Sequence, residues 1–261
     1  MPVIIHAPMR RLSQAEFGEL AYSVMRCVFQ IHDEMGRLFD EKIYKRELAH
    51  RHAGVQLEVP IEVVHATFRK LQYLDVLVDG GGPFEFKAVE AIAPRHPAQL
   101  LHYMLLAELS HGKLVNLRKE SVEHQFVNTT LRREDRIRFE LADSRWNDKT
   151  PGAARFREAL TALLRDWGTG LDLQLYEECL THLLGGEARV LADVEVCSGK
   201  HVLGHQKLRL AAPRVAFALT TLPEVGAEYE SHARRLLQHT GLEAILWANI
   251  GLKLVTVTTI A

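Results

Sequence analysis

Apolar residues in the first part of the chain recur first at helical spacing and then in alternation. Positions three or four apart are apolar from Leu20 to Met35, which predicts a helix over 13–35 that Gly36 ends. A second helix, three strands, a third helix and two strands are then expected near 40–52, 56–65, 70–78, 83–89, 95–110, 112–118 and 123–128. The glycine-rich stretch 79–83 between two of these strands predicts a hairpin.

The same order of elements returns in the second half. Two helices, three strands, a helix and two strands are expected near 152–166, 171–184, 190–197, 202–210, 214–220, 226–240, 243–249 and 252–258. Seven residue pairs match at an offset of 132 positions: Gly36/Gly168, Asp40/Asp172, Tyr44/Tyr176, Leu48/Leu180, His50/His182, Val64/Val196 and Leu71/Leu203. Scattered identities can arise by chance, but the shared element order favours an internal duplication.

This pattern predicts an α/β fold of two tandem units related by a pseudo-symmetric internal repeat. Each unit is expected to have a mixed central sheet flanked by helices. The units are predicted at residues 1–130 and 152–261, with a polar connecting segment at 131–151.

Composition and charge narrow the class of protein. Hydrophobic content of 47% and charged content of 25% are ordinary for a globular protein. The formal net charge of −1 gives no global attraction to nucleic acid. Four arginines at 132–138 form either a local basic patch or a solvated stretch among neighbouring acids. The three cysteines lack metal-ligand spacing, and no apolar run is long enough to span a membrane, so a cytoplasmic protein is expected.

The strand after the hairpin carries candidate chemistry. Glu85 and Lys87 alternate with apolar residues and so share one face. Folding the hairpin about Gly80 places Asp75 opposite Glu85, although a slip of one residue would turn the face over. A solvated sheet face is the competing interpretation. Asp75 argues against it, because it interrupts an apolar run where an unpaired acid is costly.

Two facing carboxylates repel each other unless a cation lies between them. Mg²⁺ favours one or two carboxylates together with water and phosphate oxygens. Asp75 and Glu85 are therefore candidate metal ligands. Lys87 is a candidate for orienting a water molecule or stabilising charge on a phosphorane.

These residues resemble the PD-(D/E)xK nuclease superfamily and, over about 13–128, its GxxExxY family. The motif that names the family matches at Glu41 and Tyr44 and departs from it at Leu38, which replaces glycine. The strand aspartate corresponds to Asp75, and the Glu-x-Lys run corresponds to residues 85–90. Further matches are His32, Gly36, Pro94, His96, Ala98, Gln99, Leu100, Leu101 and Tyr103.

The resemblance implies that Glu41 is an additional acid near the metal and that Gln99 reaches the site from the following helix. A surface position is the alternative for each of them, and His96 is expected to cap or pack. The second half has lost this set and is expected to be a degenerate copy. Leu173 stands for Glu41, Lys207 for Asp75, and Ala216-Phe217-Ala218 for the Glu-x-Lys strand.

The leading prediction is a phosphodiesterase that depends on Mg²⁺ or Mn²⁺ and acts on DNA or RNA. It would have one site per chain, made of Asp75, Glu85, Lys87, Gln99 and Glu41, with Asp75, Glu85 and Glu41 as metal ligands. Paired cuts would require a homodimer. The alternative is a binding or scaffold protein that keeps the nuclease fold without turnover.

Overall fold

The computed structural model describes residues 3–223 and 226–261. These residues form two six-stranded mixed sheets with their helices. They divide into two compact units. Unit 1 comprises Met1–Val64 and Arg69–Arg133, and unit 2 comprises His65–Phe68 and Glu134–Ala261.

The first sheet belongs to unit 1 and runs in chain order from one edge to the other, β1-β2-β3-β4-β5-β6. All neighbouring pairs for which a register is described are antiparallel except β4 and β5, which are parallel and are joined through a helix. The elements are β1 Val3–Ile5, α1 Gln14–Met35, α2 Glu41–Arg51, β2 Val55–His65, β3 Phe68–Val78, β4 Gly82–Lys87, α3 Arg95–Ala107, β5 His111–Asn116 and β6 Glu123–Asn128.

Helix α1 covers one face of this sheet. Its start is set by a capping box, in which the Ser13 side chain accepts from the Glu16 N–H and the Glu16 carboxylate accepts from the Ser13 N–H. Gly36 ends the helix at a φ of 72°. The helix buries Phe17, Ala21, Val24, Met25, Val28 and Ile31 in a core with Tyr44, Leu48, Val76, Val78, Phe84, Phe86, Val115 and Leu117.

Unit 2 has a second sheet with the order β7-β12-β11-β10-β9-β8. Strands β10 and β11 are parallel, β8 with β9, β9 with β10 and β11 with β12 are antiparallel, and β7 joins the edge parallel to β12. The elements are α4 Arg133–Arg136, β7 Glu140–Arg145, α5 Ala153–Trp167, α6 Leu173–Leu183, α7 Glu187–Val190, β8 Leu191–Ser198, β9 His201–Ala212, β10 Val215–Thr220, α8 Ala227–Gln238, β11 Ala244–Ile250 and β12 Leu254–Ile260.

The segment predicted as a polar connection, 131–151, contains the short helix α4 and the edge strand β7. Sequence pattern misses β7 because an edge strand lies half in solvent, so Glu140–Arg145 shows no run of alternating apolar residues. Its register, with Glu140 opposite Leu254, is determined by the partner strand. Strand β1 is missed for a related reason, since three residues are too few to show a period.

The helices and strands expected within each unit are present, with ends that differ by a few residues. No helix in the described part of the chain is long and apolar enough to cross a membrane.

Candidate active site

The hairpin of β3 and β4 brings the two predicted carboxylates together. Val76 lies opposite Phe84 and Val78 opposite Gly82, so the register is centred on Gly80 as predicted. Asp75 and Glu85 are the next positions in this register. Asp75 Oδ2 also accepts a hydrogen bond of 2.8 Å from the Phe86 N–H, which ties the carboxylate to the neighbouring strand.

Glu85 is a buried acid whose oxygens are unequally satisfied. The residue is 1% exposed. Its Oε1 accepts from Lys87 Nζ at 2.5 Å, whereas Oε2 is buried without a hydrogen-bond partner among the described residues. Burial raises the pKa of Glu85 from 4.5 to about 7; Lys87 opposes this rise, and the charges of Asp75 and Glu41 add to it. The Glu85 carboxylate therefore has one oxygen, Oε2, that is available to bind a cation in addition to Lys87.

A lysine that sequence reasoning missed lies between the other two acids. Lys45, on α2, is 6% exposed. Its ammonium contacts Asp75 Oδ1 closely and Glu41 Oε1 at 3.2 Å. Burial lowers the pKa of Lys45, but the hydrogen bond and charge of Asp75, together with Glu41, more than offset that effect and raise it. The i,i+4 spacing of Glu41 and Lys45 could have suggested their ion pair on the helix. No spacing along the chain indicates the contact between Lys45 and Asp75.

Helix α2 is positioned at its start by Tyr44. The Tyr44 hydroxyl donates to the Gly36 carbonyl at 2.7 Å and accepts from the Phe39 N–H at 3.2 Å, so it closes the loop before Glu41. Leu38, which replaces the glycine of the resembling family, is 81% exposed. It is not among the positive-φ residues of the described chain, so the replacement needs no strained backbone.

The two predicted residues of α3 have different surroundings. His96 Nδ1 accepts from the Ala93 N–H at 3.1 Å, which ties the buried His96 ring to the loop before the helix. Burial, with Arg95 and Lys87 nearby, lowers the pKa of His96. Gln99 is half-buried on the same helix. Among the described residues its side chain makes no hydrogen bond to Asp75, Glu85 or Glu41.

Two further residues secure the strand end that carries Lys87. The Asn116 side chain accepts from the Val89 N–H at 3.1 Å and donates to the Val89 carbonyl at 2.8 Å, as a neighbouring strand would. Arg118 donates to the Ala88 carbonyl at 3.3 Å and to the Arg37 carbonyl at 3.1 Å. Sequence pattern does not indicate either role, because Asn116 and Arg118 hydrogen-bond to the backbone of Val89 and Ala88, which are distant along the chain.

The arginines at 132–138 do not behave as one solvated patch. Arg132 donates to the Glu108 carbonyl and to the Ser110 hydroxyl, both at 2.8 Å, within unit 1. Arg136 is 2% exposed and donates to the Thr169 carbonyl at 2.8 Å within unit 2. Both interpretations of this stretch were therefore incomplete, because these two arginines stabilise local structure.

The acids meet part of the requirement for a divalent cation. No group of three or more acidic, histidine or cysteine side chains in residues 3–223 and 226–261 is arranged to hold a metal. The unpartnered Glu85 Oε2, with Asp75 at the adjacent register position, nevertheless offers the hard oxygen ligands that Mg²⁺ prefers. Because Mg²⁺ takes much of its shell from water and phosphate, two carboxylates suffice. Lys45 already contacts both Asp75 Oδ1 and Glu41 Oε1, and Asp75 Oδ2 accepts from the Phe86 N–H.

Comparison with known proteins finds a similarity in the first part of the chain. Residues 18–129 match the family model of the PD-(D/E)XK nuclease superfamily. The matched range contains Glu41, Asp75, Glu85, Lys87 and Gln99. No curated protein and no solved structure matches the chain.

Proposed function

We propose that unit 1 is a metal-dependent phosphodiesterase that cleaves nucleic acid, with Mg²⁺ or Mn²⁺ as its cofactor. The superfamily domain indicates a nuclease-like function. The observation that carries the rest is the Glu85 carboxylate, which is buried, has one unpartnered oxygen and lies beside both Lys87 and the Asp75 position. A buried acid in this state is destabilising unless a ligand compensates it.

Each residue of the cluster has a distinct role in this proposal. Asp75 and Glu85 would hold the ion, which would supply Lewis-acid stabilisation of the phosphoryl oxygens. The Lys87 ammonium donates to Glu85 Oε1 and, with its side chain 14% exposed, would orient the nucleophilic water or stabilise the developing negative charge. Glu41 keeps a second acid beside Asp75 through Lys45. Gln99 stays a candidate for a substrate contact, since α3 follows the strand that carries Glu85 and Lys87.

Unit 1 also follows the sequence pattern of the GxxExxY family. Glu41, Tyr44, the Glu-x-Lys strand and the His96 helix follow the GxxExxY pattern in order. The Tyr44 hydroxyl binds the Gly36 carbonyl and the Phe39 N–H, so the tyrosine of the motif holds the loop that precedes Glu41. We therefore propose that unit 1 belongs to that family.

We further propose that unit 2 is a degenerate copy of unit 1. In unit 2 the Tyr176 hydroxyl donates to the Gly168 carbonyl at 2.5 Å and accepts from the Leu171 N–H at 3.1 Å. These contacts repeat those of Tyr44 at an offset of 132 residues.

A second hydrogen-bonded pair repeats in the same way. Asn249 binds both the N–H and the carbonyl of Leu222, at 2.7 and 3.0 Å, as Asn116 binds Val89. In both sheets an antiparallel pair leads to a parallel pair and then to a last antiparallel pair, from β3 to β6 and from β9 to β12. The extra edge strand differs, because β1 adjoins β2 whereas β7 adjoins β12.

The proposed copy lacks the acids. Glu85 lies opposite Leu114 in the parallel pair. At the offset of 133 positions that relates Asn116 to Asn249, the equivalent pair in unit 2 is Ala218 opposite Trp247. Ala218 therefore corresponds to Glu85, two positions beyond the Ala216 expected from sequence. The proposal consequently assigns one active site to each chain.

Cleavage of labelled DNA and RNA in Mg²⁺ or Mn²⁺ tests the proposed activity. We expect wild type to cut at least one substrate, and Lys87→Ala to lose at least about a hundredfold in rate, which is typical of removing one charge-stabilising group. Lys42→Ala is the matched control, because Lys42 is a lysine of α2 with a 64% exposed side chain. Equal inactivity of wild type and Lys87→Ala on every substrate would refute the hydrolase proposal.

One observation favours a second candidate, a nucleic-acid-binding or scaffold protein without turnover. The three acids are already accompanied by Lys45 and Lys87, which compensate much of their charge without a metal. Calorimetry separates the candidates. Absence of Mn²⁺ binding, or binding unchanged by Asp75→Ala, would support the scaffold.

A further inference from the structure

Lys45 occupies a point on which two carboxylates from separate elements converge. Glu41 comes from the first turn of α2 and Asp75 from the middle of the hairpin. The Lys45 ammonium lies 3.2 Å from Glu41 Oε1 and in close contact with Asp75 Oδ1. The side chains of Lys45 and Asp75 are 8% and 12% exposed, so water screens this pair weakly.

The Lys45 ammonium contacts Asp75 and Glu41, and no ion pair joins it to Glu85 among the described residues. Glu85 has its own lysine, Lys87, on one oxygen, and its second oxygen is unpartnered among the described residues. Lys45 thus contacts Asp75 and Glu41, whereas Glu85 keeps one oxygen without a hydrogen-bond partner among the described residues. This division explains why three neighbouring acids do not form a ready three-carboxylate metal cluster in the described chain.

An ion pair in unit 2 joins a helix to a strand in the same way but with the charges reversed. Glu177 on α6 lies 132 positions after Lys45, and its carboxylate lies 3.1 Å from Arg209 on β9. A charge pair between these two elements is thus maintained where the other acids are gone. The strand partner is shifted by two positions, because Lys207 lies 132 positions after Asp75 and Arg209 lies 132 positions after Leu77.

From these contacts we propose that Lys45 is a positioning residue that stands in for a second divalent cation and restricts the site to a single metal ion. This inference rests on the proposed metal-dependent function. Asp75 and Glu41 present hard oxygen ligands to the point that Lys45 Nζ fills. Removing the ammonium leaves two adjacent, weakly screened carboxylates, which favour capture of a cation.

Mn²⁺ binding to the full chain, counted by electron paramagnetic resonance of the free ion, tests this role without measuring catalysis. Wild type is expected to bind one ion. Lys45→Met is expected to bind two, because the Asp75 and Glu41 oxygens become available. Lys45→Arg keeps the charge and is expected to bind one. Lys42→Met changes an exposed lysine on the same helix and is expected to match wild type.

Lys45→Gln provides a second neutral variant, since its amide can still donate to both carboxylates if the methionine variant fails to fold. Circular dichroism identifies the folded variants. One ion in wild type and in every folded neutral variant would overturn the role of Lys45 while leaving the proposed function in place. No ion in any variant, wild type included, would overturn both.

Discussion

Replacing Glu85 with glutamine should stabilise the metal-free protein at alkaline pH. Glutamine has nearly the shape of the protonated acid and carries no charge into a side-chain environment that is 2% exposed. Burial raises the pKa of Glu85 from 4.5 to about 7, so the folded state holds this proton more tightly than the unfolded state does. The ionised form is therefore the destabilised form in the fold.

The size of the effect follows from the same pKa difference. One pKa unit corresponds to about 1.36 kcal/mol, so a rise from 4.5 to about 7 corresponds to about 3 kcal/mol. This contribution is fully present below pH 4.5, declines as the pH rises, and is lost above pH 7. Glu85→Gln should thus exceed wild type by about 3 kcal/mol at alkaline pH and equal it in acid.

Urea unfolding in EDTA, followed by far-ultraviolet circular dichroism at both pH extremes, measures the difference. All three tryptophans lie in unit 2, so their fluorescence gives an internal reference that the substitution should leave unchanged. Glu90→Gln is the control, because Glu90 is exposed just after the same strand and should change stability by less than about 0.5 kcal/mol. The reasoning would be refuted if Glu85→Gln and wild type had equal free energies of unfolding at alkaline pH, or if their difference persisted in acid.

Two further substitutions test how the site is supported. Tyr44→Phe removes the hydroxyl that binds the Gly36 carbonyl and the Phe39 N–H, so we expect a loss of about 1–3 kcal/mol in urea unfolding, and unchanged stability would contradict the bracing role. Gly80→Ala forces a side chain onto a φ of 68° and brings its Cβ within 2.5 Å of the Pro8 carbonyl oxygen. The thermal midpoint should fall by several degrees, for a cost above about 1 kcal/mol, and a neutral result would mean that the turn can rearrange.

Most of the fold was readable from sequence because its elements bury one face. The helical spacing from Leu20 to Met35 and the alternation around Phe84 and Phe86 report directly on that burial. The hairpin register followed from the glycine-rich turn, and the structure has the predicted centre at Gly80. Elements with little burial, β1 and β7, left no such pattern.

Local pattern was enough to predict that Glu85 and Lys87 share one strand face, because alternation is a property of the backbone itself. Local pattern was also enough to predict the turn and the element order of both units. What each charge contacts depends on how the elements pack. Lys45 reaches Asp75, 30 positions away, and Asn116 reaches Val89 because helix and strand packing brings them together. The unpartnered oxygen of Glu85 is likewise a product of burial from every side, which no spacing along the chain encodes.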